Sequence, residues 1–209
     1  MNHLRTLATA SWTDGEPPPP LPGFSASTFN PLVAAVAERC LAAHYGEPGE
    51  PRRTGLLLAS AGGDRATALA IDTGAAGHRM PPLLFFQSNP NAVLGHLAAR
   101  WGLTGPVVAI SPPVAAAPGE VPPDALELAA LLLADGDAEQ VLVIAAEQTE
   151  HAAEHTAERT EQAAERTEQA AGEAAGTGHA TAVLVTAVTT AVLVTTATAT
   201  TAVTAVTAA

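Results

Sequence analysis

Short apolar runs bounded by turn residues alternate with segments of helical periodicity through the first 148 residues. Three runs rich in Val, Leu and Ile predict buried strands: 54–60, 107–111 and 140–146. Three segments with apolar residues at i, i+3 and i+4 spacing predict helices: 30–45, 91–101 and 124–134. The alternation of strand and helix predicts an α/β architecture.

Capping residues set the expected limits of these helices. Asn30 is predicted as the N-cap of the first helix, with Pro31 at its first position and Gly46 as its stop. Asp124 and Glu127 are predicted to form a capping box. Asp64, in the sequence Gly62-Gly63-Asp64, is predicted to cap a short helix that runs through Asp72, and Gly102 to end the helix at 91–101.

Composition divides the chain into four expected parts. Residues 1–23 are a proline-rich lead-in with one predicted edge strand at 4–12, and residues 24–148 are the α/β domain. Residues 149–178 are low-complexity Ala, Glu, Thr and Gln, which predicts a helix with an acidic stripe. Residues 179–209 contain Val, Thr and Ala, with strands predicted at 182–187 and 191–195 and a tail after them.

Charge and cysteine content narrow the classes of function. The net charge of −12 argues against nucleic-acid binding, which needs clustered Lys and Arg. The single cysteine, Cys40, excludes a disulfide within the chain and suits a reducing compartment. Threonine interrupts the apolar C-terminal run, so we expect no membrane span, and Met1–Ala10 does not have the pattern of a signal peptide. The expected location is cytoplasmic.

Two blocks of sequence resemble the N-terminal region of β-ketoacyl synthases. FFQSNPNAVLGHLAARWGLTGPVVAIS (85–111) is similar to the family's helix, Gly-Leu-x-Gly-Pro turn and strand, and DALELAALLLADGDAEQVLVIAAEQ (124–148) to the next helix and strand. AVLVTA (182–187) resembles the closing strand of the half-domain, which makes the Glu-rich segment an insertion between adjacent strands. The resemblance implies one βαβαβαββ half of a thiolase fold, similar to divergent ketosynthases and chain length factors.

The resemblance also implies a nucleophilic cysteine at about Val114, but neither cysteine nor serine stands there. The family's two histidines belong to a second half that the sequence does not contain. Acyl transfer needs a thiolate and these histidines. The resemblance therefore implies a non-catalytic subunit with no cofactor.

This subunit is expected to pair with a ketosynthase or with a second copy through the strand formed by Val107, Val108, Ala109, Ile110 and Ser111. Contact with an acyl carrier protein fits less well, because such carriers are acidic, as this chain is. Two alternatives remain open. One is a ketosynthase-like acyltransferase that uses another nucleophile such as Ser111, and the other is a structural or surface-associated Ala/Thr-rich protein.

Two further patterns have simpler interpretations than catalysis. Cys40 lies in the apolar helical sequence AERCLAA, which favours a buried side chain over a nucleophile. His151 and His155 match the H-x-x-E-H pattern of zinc proteases, but the surrounding Glu/Ala repeat generates such patterns easily. We therefore predict no metal site, with His151 and His155 as the candidate ligands if one exists.

Overall fold

A computed structural model describes residues 4–13, 17–24, 27–65, 67–68, 71–72, 82–148 and 178–188. Five strands form one mixed sheet within these residues: β1 (Leu4–Trp12), β2 (Thr54–Ala59), β3 (Val107–Ile110), β4 (Gln140–Gln148) and β5 (Gly178–Ala187). The helices whose bounds lie within the described residues are α1 (Phe29–Tyr45), α2 (Pro82–Gln87), α3 (Pro90–Trp101) and α4 (Pro123–Ala134). The α/β prediction is confirmed.

The strands are arranged in the order β1-β5-β4-β2-β3. β2 runs parallel to both β3 and β4, whereas β5 is antiparallel to β4 and β1. The predicted strand at 182–187 lies within β5, next to β4, so residues 149–177 connect two adjacent strands, as expected of an insertion. That connection, the helix predicted in it and the strand predicted at 191–195 lie outside the described residues.

The side chains of the central strands alternate between two apolar cores. In β4, Leu142, Ile144 and Ala146 face α1 and α3, whereas Val141 and Val143 face α4. Seven of the nine residues of β4 are buried, because the strand has neighbours on both edges and helices on both faces. No helix in the described parts of the chain is both long enough and apolar enough to cross a membrane.

The predicted N-cap of α1 is wrong. The helix begins at Phe29, so Asn30 lies inside its first turn and is buried. The Asn30 N–H donates to Ser27 Oγ at 2.9 Å, and Asn30 Nδ2 donates to the Gln87 carbonyl at 2.8 Å. The Asn30 side chain therefore binds a residue that is distant in the sequence, the Gln87 carbonyl, and does not cap the helix.

The capping box at Asp124 is also wrong. α4 begins at Pro123 after Pro122, and no side chain caps it. Proline suits the first helical position because that position needs no N–H donor, so the helix starts one residue before Asp124. Asp124 is then in the first turn, where its negative charge interacts favourably with the helix dipole.

The predicted ends of α1 and α3 are confirmed. Gly46 follows α1 with a φ of 77°, and Gly102 follows α3 with a φ of 65°.

Gly105 brings the start of β3 against β2. Its N–H donates to the Thr54 carbonyl at 3.1 Å, and Leu56 N–H donates to the Pro106 carbonyl at 2.8 Å. A Cβ at Gly105 would lie 2.5 Å from Gly55 N and 2.6 Å from Thr54 C. Because these are backbone atoms, the strands would have to separate to admit any larger side chain.

We expect Gly105→Ala to lower the free energy of unfolding by about 3 kcal/mol, because the new methyl group overpacks the β2–β3 junction. Gly95→Ala is the matched control, since an added Cβ on this exposed turn of α3 meets nothing within 4 Å. It should stabilise the protein by about 0.5–1 kcal/mol. Urea unfolding measures both, and equal effects would contradict the close approach at Gly105.

Candidate functional site at the carboxyl ends of the parallel strands

The carboxyl ends of the parallel strands β2, β3 and β4 lie at the same end of the sheet, and α/β proteins commonly bind ligands there. Two loops leave β2 and β3 there, over residues 60–65 and 111–122. The end of β4 supplies Glu147. These three elements form the candidate site.

Glu147 is a buried carboxylate that holds the loop after β2. One oxygen, Oε1, accepts from Ala61 N–H at 2.7 Å, and the other, Oε2, accepts from Gly62 N–H at 3.2 Å and Ser60 Oγ at 3.4 Å. Hydrogen bonds to a carboxylate are about twice as strong as neutral ones. Sequence reasoning missed this residue, although an acidic side chain ending the apolar run VLVIAAE was the available signal.

The loop after β2 is a turn followed by a helix cap, as Gly62-Gly63-Asp64 predicted. Gly63 N–H donates to Ser60 Oγ at 2.9 Å, and Asp64 accepts from Thr67 N–H at 3.1 Å and Thr67 Oγ1 at 2.8 Å. Burial raises the pKa of Asp64, opposed by hydrogen bonds from Ser27 and Thr67. Asn30 Nδ2 also approaches Asp64 Oδ2 at 3.3 Å and joins this loop to α1.

The loop after β3 carries Ser111 and Val114, the two residues singled out by the sequence. β3 ends at Ile110, so Ser111 lies just beyond the strand and is exposed. Val114 is 74% exposed. His179, the histidine that contacts this loop, hydrogen-bonds to the Ala116 carbonyl at 2.9 Å rather than to Ser111.

β5 fixes the far side of the same loop. Gly119 N–H donates to Thr181 Oγ1 at 3.1 Å, and Thr181 lies two residues after His179 in the strand. Together the two hydrogen bonds hold residues 116–119 against the sheet. The loop is therefore fastened at its middle while Val114 projects into solvent.

Cys40 is fully buried in α1, as its apolar neighbours predicted. Burial raises the pKa of its thiol to about 11, although a backbone hydrogen bond with Leu184 lowers it. A nucleophilic cysteine requires the opposite, an accessible thiol with a lowered pKa. Cys40 is part of the core between α1 and β5.

The described residues contain no group of three or more His, Cys, Asp or Glu side chains that could hold a metal ion. His151 and His155 lie outside the described residues, so the structure does not place them. At the described strand ends, Glu147 holds the loop after β2, and His179 and Thr181 hold the loop after β3.

Among the described strands, β3 lies at the edge of the sheet and pairs with β2 alone. The carbonyls of Pro106 and Ile110 accept from β2, so alternation turns the backbone groups of Val107 and Ala109 away from the sheet. Val107 is 38% exposed and Ala109 is half-buried. The predicted interface residues 107–110 thus lie along an edge that no described strand covers, and Ser111 follows directly after them.

The comparisons with known proteins identify the fold. No protein-family model matches the sequence, and no curated protein matches it. Among solved structures, a chain of the ketosynthase ApeO in complex with its chain length factor ApeC, from Xenorhabdus doucetiae, superposes with a TM-score of 0.56. The two are 15% identical, and the match covers 89% of this chain and 79% of that one.

The ishigamide ketosynthase/chain length factor superposes with a TM-score of 0.50 and 21% identity, over 79% of this chain and 45% of that one. The fold is ketosynthase-like. This protein therefore has the thiolase-like architecture that the blocks at 85–111 and 124–148 predicted. It spans less than half the length of the second of these structures.

We expect Glu147→Gln to lower the free energy of unfolding by about 2 kcal/mol. The substitution replaces one accepting carboxylate oxygen with an NH₂ group, which is a donor and cannot accept from the backbone N–H that faces it. Glu127→Gln, on the exposed side of α4, is the matched control and should have an effect below about 0.5 kcal/mol. Chemical unfolding gives both values. Amide chemical shifts of Ala61 and Gly62 should move in the first variant alone, and unchanged shifts there would contradict the role of Glu147.

Proposed function

We propose that this protein is a non-catalytic ketosynthase-like subunit of type II polyketide or fatty-acid-type biosynthesis, and that it pairs with a ketosynthase or with a second copy of itself. The observation that carries the proposal is Val114, an exposed aliphatic side chain at the place where the sequence resemblance puts the nucleophile. A valine has no atom that can accept an acyl group.

The surroundings of Val114 support a role without acyl transfer. Ser111 has no hydrogen-bonded base in the described residues, because His179 is engaged by Ala116. Cys40 is in the core, with a pKa that keeps its thiol protonated near neutral pH. Neither residue has the activated, accessible position that nucleophilic catalysis requires.

We expect no covalent adduct when the purified protein is incubated at pH 8 with an S-acyl N-acetylcysteamine thioester and with an acyl-carrier-protein thioester. At that pH roughly one Cys40 thiol in a thousand would be ionised, given its pKa of about 11. Intact-mass spectrometry is the measurement. An acyl adduct that disappears in Ser111→Ala would support the acyltransferase alternative and overturn the proposal.

Pairing is proposed to use the open edge of β3. An unpaired strand edge presents N–H and C=O groups that another strand can bind, and a two-fold arrangement lets one edge serve both partners. The first structure in the comparison is a ketosynthase in complex with its chain length factor, which supports a partner of the ketosynthase type.

We expect Ala109→Pro to abolish pairing, because proline removes an outward N–H from an edge strand and leaves the β2–β3 bonds intact. Ala109→Ser keeps this N–H and is the matched control. Sedimentation velocity measures self-association, and co-purification after co-expression with each ketosynthase of the same genome measures hetero-association. Assembly by the proline variant as strong as by the serine variant would show that β3 is not the interface.

A further inference from the structure

The two faces of the sheet have unequal cover. α1 and α3 pack on one face, and Leu21 of the proline-rich segment adds to that core. The other face is covered, in the described part of the chain, by α4. Aliphatic side chains around α4 remain only half-buried, among them Val108, Ile110, Val121 and Val183.

α4 is more apolar than a helix covered on one side needs to be. Its sequence is PDALELAALLLA, yet only Ala125 and Ala129 are fully buried. Leu131 is 58% exposed, and four more leucines are half-buried: Leu126, Leu128, Leu132 and Leu133. A helix with so few polar positions is typical of one that is buried on more than one side.

Acidic residues predominate around this surface. Residues 107–148 contain no basic residue. The exposed acidic residues of this stretch lie on α4 and on the segments that lead into and out of it: Glu120, Asp124, Glu127, Asp135, Asp137 and Glu139. Arg53, from before β2, pairs with Glu139 at 3.9 Å and offsets one of these six negative charges.

We propose that the outer face of α4, centred on Leu131 and flanked by Asp124, Glu127 and Asp135, binds a protein partner whose contacting surface is aliphatic at its centre and rich in Arg or Lys at its rim. An apolar centre supplies affinity, and complementary charge at the rim supplies orientation and association rate. This surface is separate from the β3 edge, and the inference does not depend on the pairing proposed above.

A second copy of this chain does not fit the surface through its own α4 face. Two copies of the α4 face would bring acidic rims together, and like charges in an interface oppose binding. Three of the described arginines have partners on the other side of the sheet or beside it. Arg39 lies 3.6 Å over the Trp12 ring, Arg52 lies 4.3 Å over the Tyr45 ring, and Arg100 pairs with Glu38 at 2.8 Å.

The test uses a charge-inverted version of the chain as the probe. Asp124→Arg, Glu127→Arg and Asp135→Arg keep the aliphatic stripe of α4 and give it the basic rim of the inferred partner. A second probe, Glu127→Arg with Asp135→Arg, spares the first turn of α4 in case the triple variant is destabilised there. Both members of each mixture also carry Ala109→Pro, so that association through β3 does not contribute.

We expect the inverted chain and the otherwise native chain to form a 1:1 complex in native mass spectrometry and sedimentation at low salt. Its affinity should fall by about tenfold or more at high salt, because the rim charges are exposed. Leu131→Ser in the native member should weaken the complex by a further factor of about ten. Each chain alone should show no association that depends on Leu131.

A matched control places the same kind of charge change elsewhere. Glu47→Arg with Glu50→Arg alters two exposed residues in the loop after α1 and should produce no complex with the native chain. The inference is overturned if neither α4 probe binds. It is also overturned if the loop control binds equally well, or if Leu131→Ser leaves the affinity unchanged.

Discussion

The double burial of β4 is the constraint on which the rest of the structure depends. This strand pairs with β2 on one edge and β5 on the other, and its side chains fill both cores. Backbone groups in such a position must find partners within the sheet, because water cannot reach them. The register of β4 therefore fixes where β2 and β5 lie, and it places Glu147 at the strand end where it can bind the loop after β2.

The loops at the ends of β2 and β3 are ordered by side chains from β4 and β5. Glu147 orders one loop through backbone donors, and His179 and Thr181 order the other. These interactions maintain a ketosynthase-like scaffold even though valine stands where the resemblance implies a nucleophile. A protein scaffold can serve the binding of a partner as well as catalysis, because both depend on the same strand edges and helix faces.

Two surfaces of the molecule lack neighbours in the described residues, for different physical reasons. The edge of β3 has unpaired backbone groups, which favour a directional, strand-like contact. The outer face of α4 has aliphatic side chains within an acidic rim, which favour a less directional contact with a basic surface. Because the two surfaces differ in chemistry, a substitution can alter one of them without changing the other.

The sequence by itself determined the elements, because apolar periodicity and glycine stops are local properties: the strands at 54–60 and 140–146 and the helix end at Gly102 are where the pattern predicts them. The position of the nucleophile at about Val114 stays a prediction from the family resemblance. Only the tertiary structure decided the roles of Asn30 and Glu147. The hydrogen-bond partners of the Asn30 side chain lie 34 and 57 residues away along the chain, and those of Glu147 lie 85–87 residues away. No local pattern records which distant groups a buried polar side chain will meet.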